Sequence, residues 1–256
     1  MTDTNGSKVG IEGFADAGRY QSARPGYPAE AVGYLAQYLA LESVTKVVDV
    51  AAGTGLFTRE LLPFTSHVVA VEPGAGMRDE FSTQLPGVEV LEGVAEKLPL
   101  GDASVDVITV AQAFHWFEPM TALAEFTRVL VPGGGLGLVW NERDESVAWV
   151  DALSRAILWD VKRPYDMVTD FTLILERGGF VEVERRQFKN SQVLDRNALH
   201  QRVLTTSYIA VLDEKEQRKI LDDVDRVVEN FDEPFELPYV TTTYCARSPL
   251  RHVSVD

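Results

Sequence analysis

Apolar positions along this chain change period several times, and the changes mark its elements. Val47 to Val50 is an apolar run broken only by Asp49, which reads as a strand buried on both faces. "GLFTRELL" follows with helical spacing and stops at Pro63. Val68 to Val71 reads as a second strand, and "GMRDEFSTQL" as a helix with Met77, Phe81 and Leu85 on one face. "VEVLEG" and "SVDVITVAQ" read as the third and fourth strands. "MTALAEFTRVL" reads as a helix that "VPGGG" terminates, and "LGLVW" as a fifth strand. Upstream, "RYQSARPGYPAEAVGYLAQYL" predicts a turn into a helix, with Pro28 in the first turn and Val32, Leu35, Ala36 and Leu39 on one face. Alternating strands and helices imply parallel strands joined by crossover helices.

The last third has a different pattern. "SVAWVDALSRAILW" and "QRKILDDVDRVVENF" have helical periodicity, while "FVEVERRQF" and "YVTTTYCAR" look like strands. With no long linker between them, the helices are expected to be insertions, at about 143–175 and 190–234, forming a cap on a single domain over 19–256. Residues 1–18 are polar and glycine-rich and are expected to be mobile.

Composition narrows the partners. The formal net charge of -15 repels phosphate backbones and anionic lipid, which argues against nucleic acid and membrane as partners. Cys245 is the single cysteine, so no intrachain disulfide forms. The start lacks a basic patch followed by an apolar core, and no apolar run approaches the ~18 residues of a membrane span. A cytoplasmic protein is expected. His67, His200 and His252 lack partners at metal-ligand spacing, so no metal is expected.

The candidate chemistry gathers at the strand ends. Open parallel sheets bind ligands beyond the carboxyl ends of their strands. There "AAGTG" strips side chains from the turn after the first strand, so backbone N–H groups at Gly53 and Gly55 can approach a ligand. Glu72 closes the second strand, near the ~20-residue offset at which such folds set an acid against a ribose diol. Loop and acid together point to a nucleoside ligand. The loop departs from the dinucleotide fingerprint, because Gly53-Thr54-Gly55-Leu56-Phe57-Thr58 lacks the third glycine. No tyrosine has a lysine four residues later, and no triphosphate-binding loop occurs.

Six pieces in order, "YQSARPGYP", "VVDVAAGTG", "VVAVEPGAGM", "GVAEKLPL", "SVDVITVAQAFHWF" and "RVLVPGGGLGLV", resemble the class I S-adenosylmethionine-dependent methyltransferases. Within them, the chain is most similar to small-molecule enzymes of the quinone-biosynthesis and trans-aconitate type. The resemblance implies a Rossmann-like α/β fold with a mostly parallel seven-stranded sheet, helices on both faces and an antiparallel last strand. It also implies S-adenosylmethionine as cofactor, S-adenosylhomocysteine as its product and a small-molecule acceptor. By the same resemblance Gly53, Thr54 and Gly55 face the methionine portion, with Asp49 supporting the loop. Glu72 holds the ribose, Pro73 and Met77 line the adenine side, and Val94, Ala95 and Glu96 border the adenine. Ala111 and Gln112 approach the methionine and sulfonium, while Tyr20 and Arg24 close over the site. Two positions depart from the family pattern. Ala51 stands for the first glycine of the loop, which leads us to expect a slightly shifted bend. Val94 stands where many relatives have an aspartate.

Methyl transfer needs alignment, exclusion of water and, for some acceptors, a base. His115 in "AFHWFEP" is the candidate to orient or deprotonate the acceptor, against the alternative of a strand cap bonded to a carbonyl. Trp116 and Trp140 are candidate walls of an acceptor pocket, Arg143 a candidate contact for an acidic acceptor, and Tyr208 a candidate cap residue. A nicotinamide oxidoreductase and a non-catalytic cofactor-binding module are the competing readings. The acceptor and the oligomeric state are left open.

Overall fold

Val47–Val50 forms β1, buried along its whole length, and the strands of a seven-stranded sheet assemble on either side of it. The computed structural model describes residues 23–157 and 170–250. Tyr20, the 1–18 segment and His252 lie outside them. In chain order the elements are α1 (Ala29–Leu39), β1, the single turn α2 (Thr58–Leu61), β2 (Val68–Val71), α3 (Ala75–Gln84), β3 (Glu89–Leu91) and β4 (Val105–Ala111). A 3-10 turn (Phe114–Trp116), α4 (Pro119–Val129), β5 (Leu130–Arg143), α5 (Ala148–Ala156), α6 (Phe171–Arg177) and β6 (Val181–Leu194) follow. The chain continues through α7 (Arg196–Leu204), α8 (Ser207–Ala210), α9 (Glu214–Val228) and β7 (Phe235–Arg247).

The sheet order is β3-β2-β1-β4-β5-β7-β6. Asp49 pairs in register with Ala70 of β2 and Thr109 of β4, both parallel. β7 runs antiparallel between its neighbours. Against β5, Ser248 N donates to Gly134 O while Asp144 N donates to Pro238 O. Against β6, Thr243 Oγ1 donates to Arg186 O and Gln187 Nε2 to Thr242 Oγ1. The mostly parallel, Rossmann-like sheet with its antiparallel last strand is the one the sequence leads us to expect.

The chain divides into two units. The sheet unit comprises described residues 27–140, 170–188 and 241–250. Its core includes Ile108, Phe114, Phe126, Leu136 and Phe180, each at most 2 % exposed. Burying such a side chain contributes roughly 1.5–3 kcal/mol, and a frame of this kind holds the strand ends in place. The helical unit comprises 23–26, 141–157 and 189–240. Its core is Val150, Leu153, Leu199, Val224, Leu237 and Tyr239, drawn from α5, α7, α9 and the first half of β7. Among the described residues no helix is long and apolar enough to cross a membrane.

Two differences from the sequence pattern have clear causes. β5 begins at Leu130 and takes in "VPGGG", which reads as a helix stop. The glycines beyond the stop serve the strand. A β-carbon on Gly135 would meet Leu39 Cδ2 of α1 at 2.7 Å, and one on Gly137 would meet Leu39 Cδ1 at 3.0 Å. α6 and α7 were not expected as separate helices. Each is opened by an aspartate, Asp170 accepting from Thr172 N and Asp195 from Ala198 N. In α7 Arg202 is buried beside Leu199 and Val203, so a charge interrupts the apolar stripe.

Candidate functional site

The bend after β1 is anchored from below by a buried acid. Asp49 is fully buried, with Oδ1 accepting from Thr109 Oγ1 at 2.8 Å and Oδ2 from Thr58 Oγ1 at 2.6 Å. One carboxylate thereby ties β1 to β4 and to the start of α2. Burial lifts its pKa to about 6, and the nearby Glu72 charge adds to the rise, against the lowering effect of the two hydroxyls.

Ala51 sits at φ 55, in the left-handed region that a glycine occupies without strain. The loop thus has a glycine-like backbone with an alanine in it, and local strain sits at this position. Ala51→Gly is expected to stabilise the chain by about 0.5–1 kcal/mol, because relief of the left-handed penalty exceeds the added unfolded-state entropy. Thermal unfolding of both proteins checks this, as a rise of a few degrees.

The two glycines of the bend do different work. Gly53 has φ +57, and a β-carbon there would meet nothing within 4 Å, so its backbone borders open space. Gly55 was expected to face a ligand, and the structure gives it a packing role instead. A β-carbon at Gly55 would meet Leu85 Cδ1 at 2.7 Å and the Phe81 ring at 3.0 Å, and its N–H donates to Ala52 O at 3.0 Å. The third glycine of a dinucleotide loop permits close packing; here α3 draws on Gly55 for its own close approach.

Glu72 joins the bend to the next strand end. It is 7 % exposed, with Oε2 accepting from Gly53 N at 2.9 Å and Oε1 from Gly74 N at 2.8 Å. Burial raises its pKa, while the N–H groups of Gly74 and Gly53 and the charge of Arg78 act the other way. Arg78 clamps the same turn by donating to Glu72 O at 3.0 Å and Pro73 O at 2.7 Å. Each carboxylate oxygen accepts more than one hydrogen bond, so Glu72 can bind the loop and hydroxyls of a ligand together.

Beyond β4, Gln112 takes φ 59, and its N–H donates to Val139 O at 2.9 Å. Left-handed backbone at Ala51 and Gln112 thus occurs at two neighbouring strand ends, where strain accompanies function. His115 follows in the 3-10 turn. Trp140 Nε1 approaches His115 Nδ1 at 3.4 Å, and an indole nitrogen only donates. Nδ1 is then the acceptor and the imidazole hydrogen sits on Nε2. Burial pushes the ring down to about 3. A neutral ring with hydrogen on Nε2 donates a hydrogen bond; it does not take a proton there. Trp116 lies beside it, ring centroids 4.8 Å apart. Trp140, expected on a pocket wall, is 2 % exposed, stacked on Phe171 at 4.6 Å and edge-on to Tyr244 at 5.9 Å. It is a core residue that fixes His115.

The other expected residues are placed as follows. Thr54 and Met77 are buried, Pro73 and Ala111 half-buried, and Ala95 belongs to the core. Val94 is 45 % exposed. Glu96 Oε1 accepts from Glu118 N at 2.8 Å and so ties the 94–97 turn to the start of α4. Arg24, Arg143 and Tyr208 belong to the helical unit. There Arg24 Nη2 donates to Thr205 O at 2.7 Å, Arg143 Nε to Ser154 Oγ at 3.1 Å, and Tyr208 OH to Ile157 O at 2.8 Å. Asn141 and Asn190 both donate to Gly26 O, and Asn190 also donates to Asn141 Oδ1. Arg202 and Asn190, whose side chains the fold brings into these contacts, are lone polar residues in the sequence with no motif around them.

Comparison with known proteins finds methyltransferases among the relatives of this chain. Residues 48–138 match the family model described as a methyltransferase domain. An uncharacterized methyltransferase of Mycobacterium tuberculosis is 39% identical over 238 residues, covering 91% of this chain and 93% of the relative. An uncharacterized methyltransferase-like protein of Schizosaccharomyces pombe is 31% identical over 214 residues, covering 83% and 84%. Among solved structures, an N-methyltransferase of Haemonchus contortus in complex with phosphomonomethylethanolamine and S-adenosylhomocysteine has a TM-score of 0.58 at 12% identity, covering 92% of this chain and 58% of that one. That last likeness is one of fold.

Proposed function

The chain belongs to the class I S-adenosylmethionine-dependent methyltransferase family, and from that premise we propose that it methylates a small molecule, with the donor held between the Gly53 bend and Glu72. Methyl transfer from S-adenosylmethionine follows from the family. The nicotinamide reading has no support from the comparisons. The observation that carries the donor site is the Glu72 carboxylate set 2.9 Å from Gly53 N beside open space at that glycine. A buried acid with acceptor capacity left over suits a ribose diol, and bare backbone suits the polar methionine end. These residues fit the group.

When bound, S-adenosylmethionine supplies an electrophilic methyl on a sulfonium. The chain supplies the rest. Glu72 accepts from the ribose hydroxyls, and Gly53 lets the donor approach the backbone. Ala111 and Gln112 border the reacting end, while Val94, Ala95 and Glu96 edge the base. His115 orients the acceptor by donating from Nε2, with Trp116 excluding water beside it. An acceptor that must lose a proton gives it to solvent or to another group, because an imidazole held near 3 is a poor base. The rate should therefore show no inflection from His115 between pH 5 and 8. A pH profile of turnover in the native protein and in His115→Asn checks this. The two profiles should have the same shape, with the variant lower by roughly ten- to a hundredfold for the lost orienting bond.

Incubation with methyl-labelled donor and a pool of small acids, amines and phenols, read by mass spectrometry, tests the function. One labelled product is expected. No labelled product from any small molecule, with label appearing on protein or nucleic acid, would overturn the small-molecule reading.

A further inference from the structure

Among the described residues of the helical unit, one buried cation meets no acid. Arg202, in the last turn of α7, is 7 % exposed. Its Nε donates to Tyr239 OH at 3.2 Å, and it makes no ion pair with any carboxylate among the described residues. The other cationic side chains of α7 differ. Arg196 Nε lies 2.8 Å from Glu233 Oε1, and His200 Nε2 lies 2.7 Å from Asp225 Oδ1. The least exposed of the three is thus the one without an acid.

A second guanidinium approaches from the sheet. Asp144 N donates to Pro238 O at 3.0 Å, which sets Arg143 of β5 alongside Tyr239 of β7. Arg143 Nε donates to the fully buried Ser154 Oγ at 3.1 Å. Burial, and next the charge of Arg202, lowers the pKa of Arg143, while Tyr239, Tyr208 and Glu145 act the other way. Thr206 Oγ1, one helical turn beyond Arg202, is buried without a hydrogen-bond partner. The dipole of α7 favours a cation in its last turn but gives no reason to bury it. A buried guanidinium is costly unless an anion meets it, and its planar fork matches a carboxylate or a phosphate.

We propose that Arg202 and Arg143, with the Tyr239 hydroxyl held against Arg202, form a binding site for a small anion, a carboxylate or a phosphate ester, within the helical unit. The chain carries a net charge of -15, so its surface repels such ligands and a buried cationic pair is what selects them.

The test uses the native full chain without methyl donor. Its thermal midpoint is followed through titrations with sodium succinate and with inorganic phosphate, chloride keeping the ionic strength fixed. A saturable rise is expected with at least one salt, and the stronger response tells a carboxylate ligand from a phosphate ester. Arg202→Met should weaken the response roughly tenfold or more, and Arg202→Lys, which keeps the charge, should retain part of it. No saturable rise with either salt, or an undiminished one in Arg202→Met, would overturn the site. Binding of S-adenosylhomocysteine is measured in a separate titration, so loss of donor binding with an intact anion response strikes only the methyl-transfer reading.

Discussion

Glu72→Ala should raise the dissociation constant for S-adenosylhomocysteine by roughly a hundredfold or more. A carboxylate that accepts both hydroxyls of a ribose makes charge-assisted bonds of roughly 1.5–3 kcal/mol each. Two of them lie within that expectation. The loop also loses a support, because Glu72 spans from Gly53 N to Gly74 N. Glu72→Gln should be almost as weak. Both carboxylate oxygens accept from backbone N–H groups, so an amide would turn its own N–H toward one of those donors. Calorimetric titration of the two variants checks this, and near-native affinity in Glu72→Gln would remove the carboxylate from donor recognition.

The second large effect is a pH dependence of stability that originates at Asp49. Its pKa in the folded chain is about 6, above the ordinary aspartate value of 3.8, because burial penalises the charged form. The sign follows from which state binds the proton more tightly. The folded chain does, so the Asp49 contribution is fully present below about pH 4 and is lost as pH rises through about 6. Over that window it amounts to about 3 kcal/mol. Asp49→Asn does not titrate, and its amide can accept from one threonine hydroxyl and donate to the other. Unfolding of native and Asp49→Asn proteins at pH 4 and pH 7 should therefore show the difference moving by about 3 kcal/mol toward the variant at the higher pH. A constant difference would mean that Asp49 is not desolvated as its burial implies. An acid kept ionised at this cost suggests why the residue tolerates it: it holds β1, β4 and α2 in register beneath the bend.

How far the sequence discloses this arrangement depends on the kind of signal. β1, β2 and β4 are legible because burial on both faces leaves mostly apolar runs, and α3 because Met77 and Phe81 recur on one buried face. The Gly53–Glu72 pairing is legible because parallel strand order brings the ends of β1 and β2 together whatever the side chains in between. Gly55 is not, since a glycine that admits a ligand and one that admits Leu85 and Phe81 look the same in one dimension. The start of β5 is hidden for a related reason: "VPGGG" halts a helix and also leaves room for Leu39 of α1. Trp140 at a strand end suggests a pocket wall, but its stacking on Phe171 depends on α6, whose only local sign is the Asp170 cap. Arg202 is least legible of all. Its significance comes from Tyr239 and Arg143, which are distant in sequence and meet it only through the fold.

A crystal of the native chain soaked with S-adenosylhomocysteine tests the donor site most directly. Density for the ligand is expected along the Gly53 backbone, with both ribose hydroxyls within hydrogen-bonding distance of the Glu72 carboxylate. Density that leaves Glu72 facing only Gly53 and Gly74, with the ribose held by other residues, would contradict it.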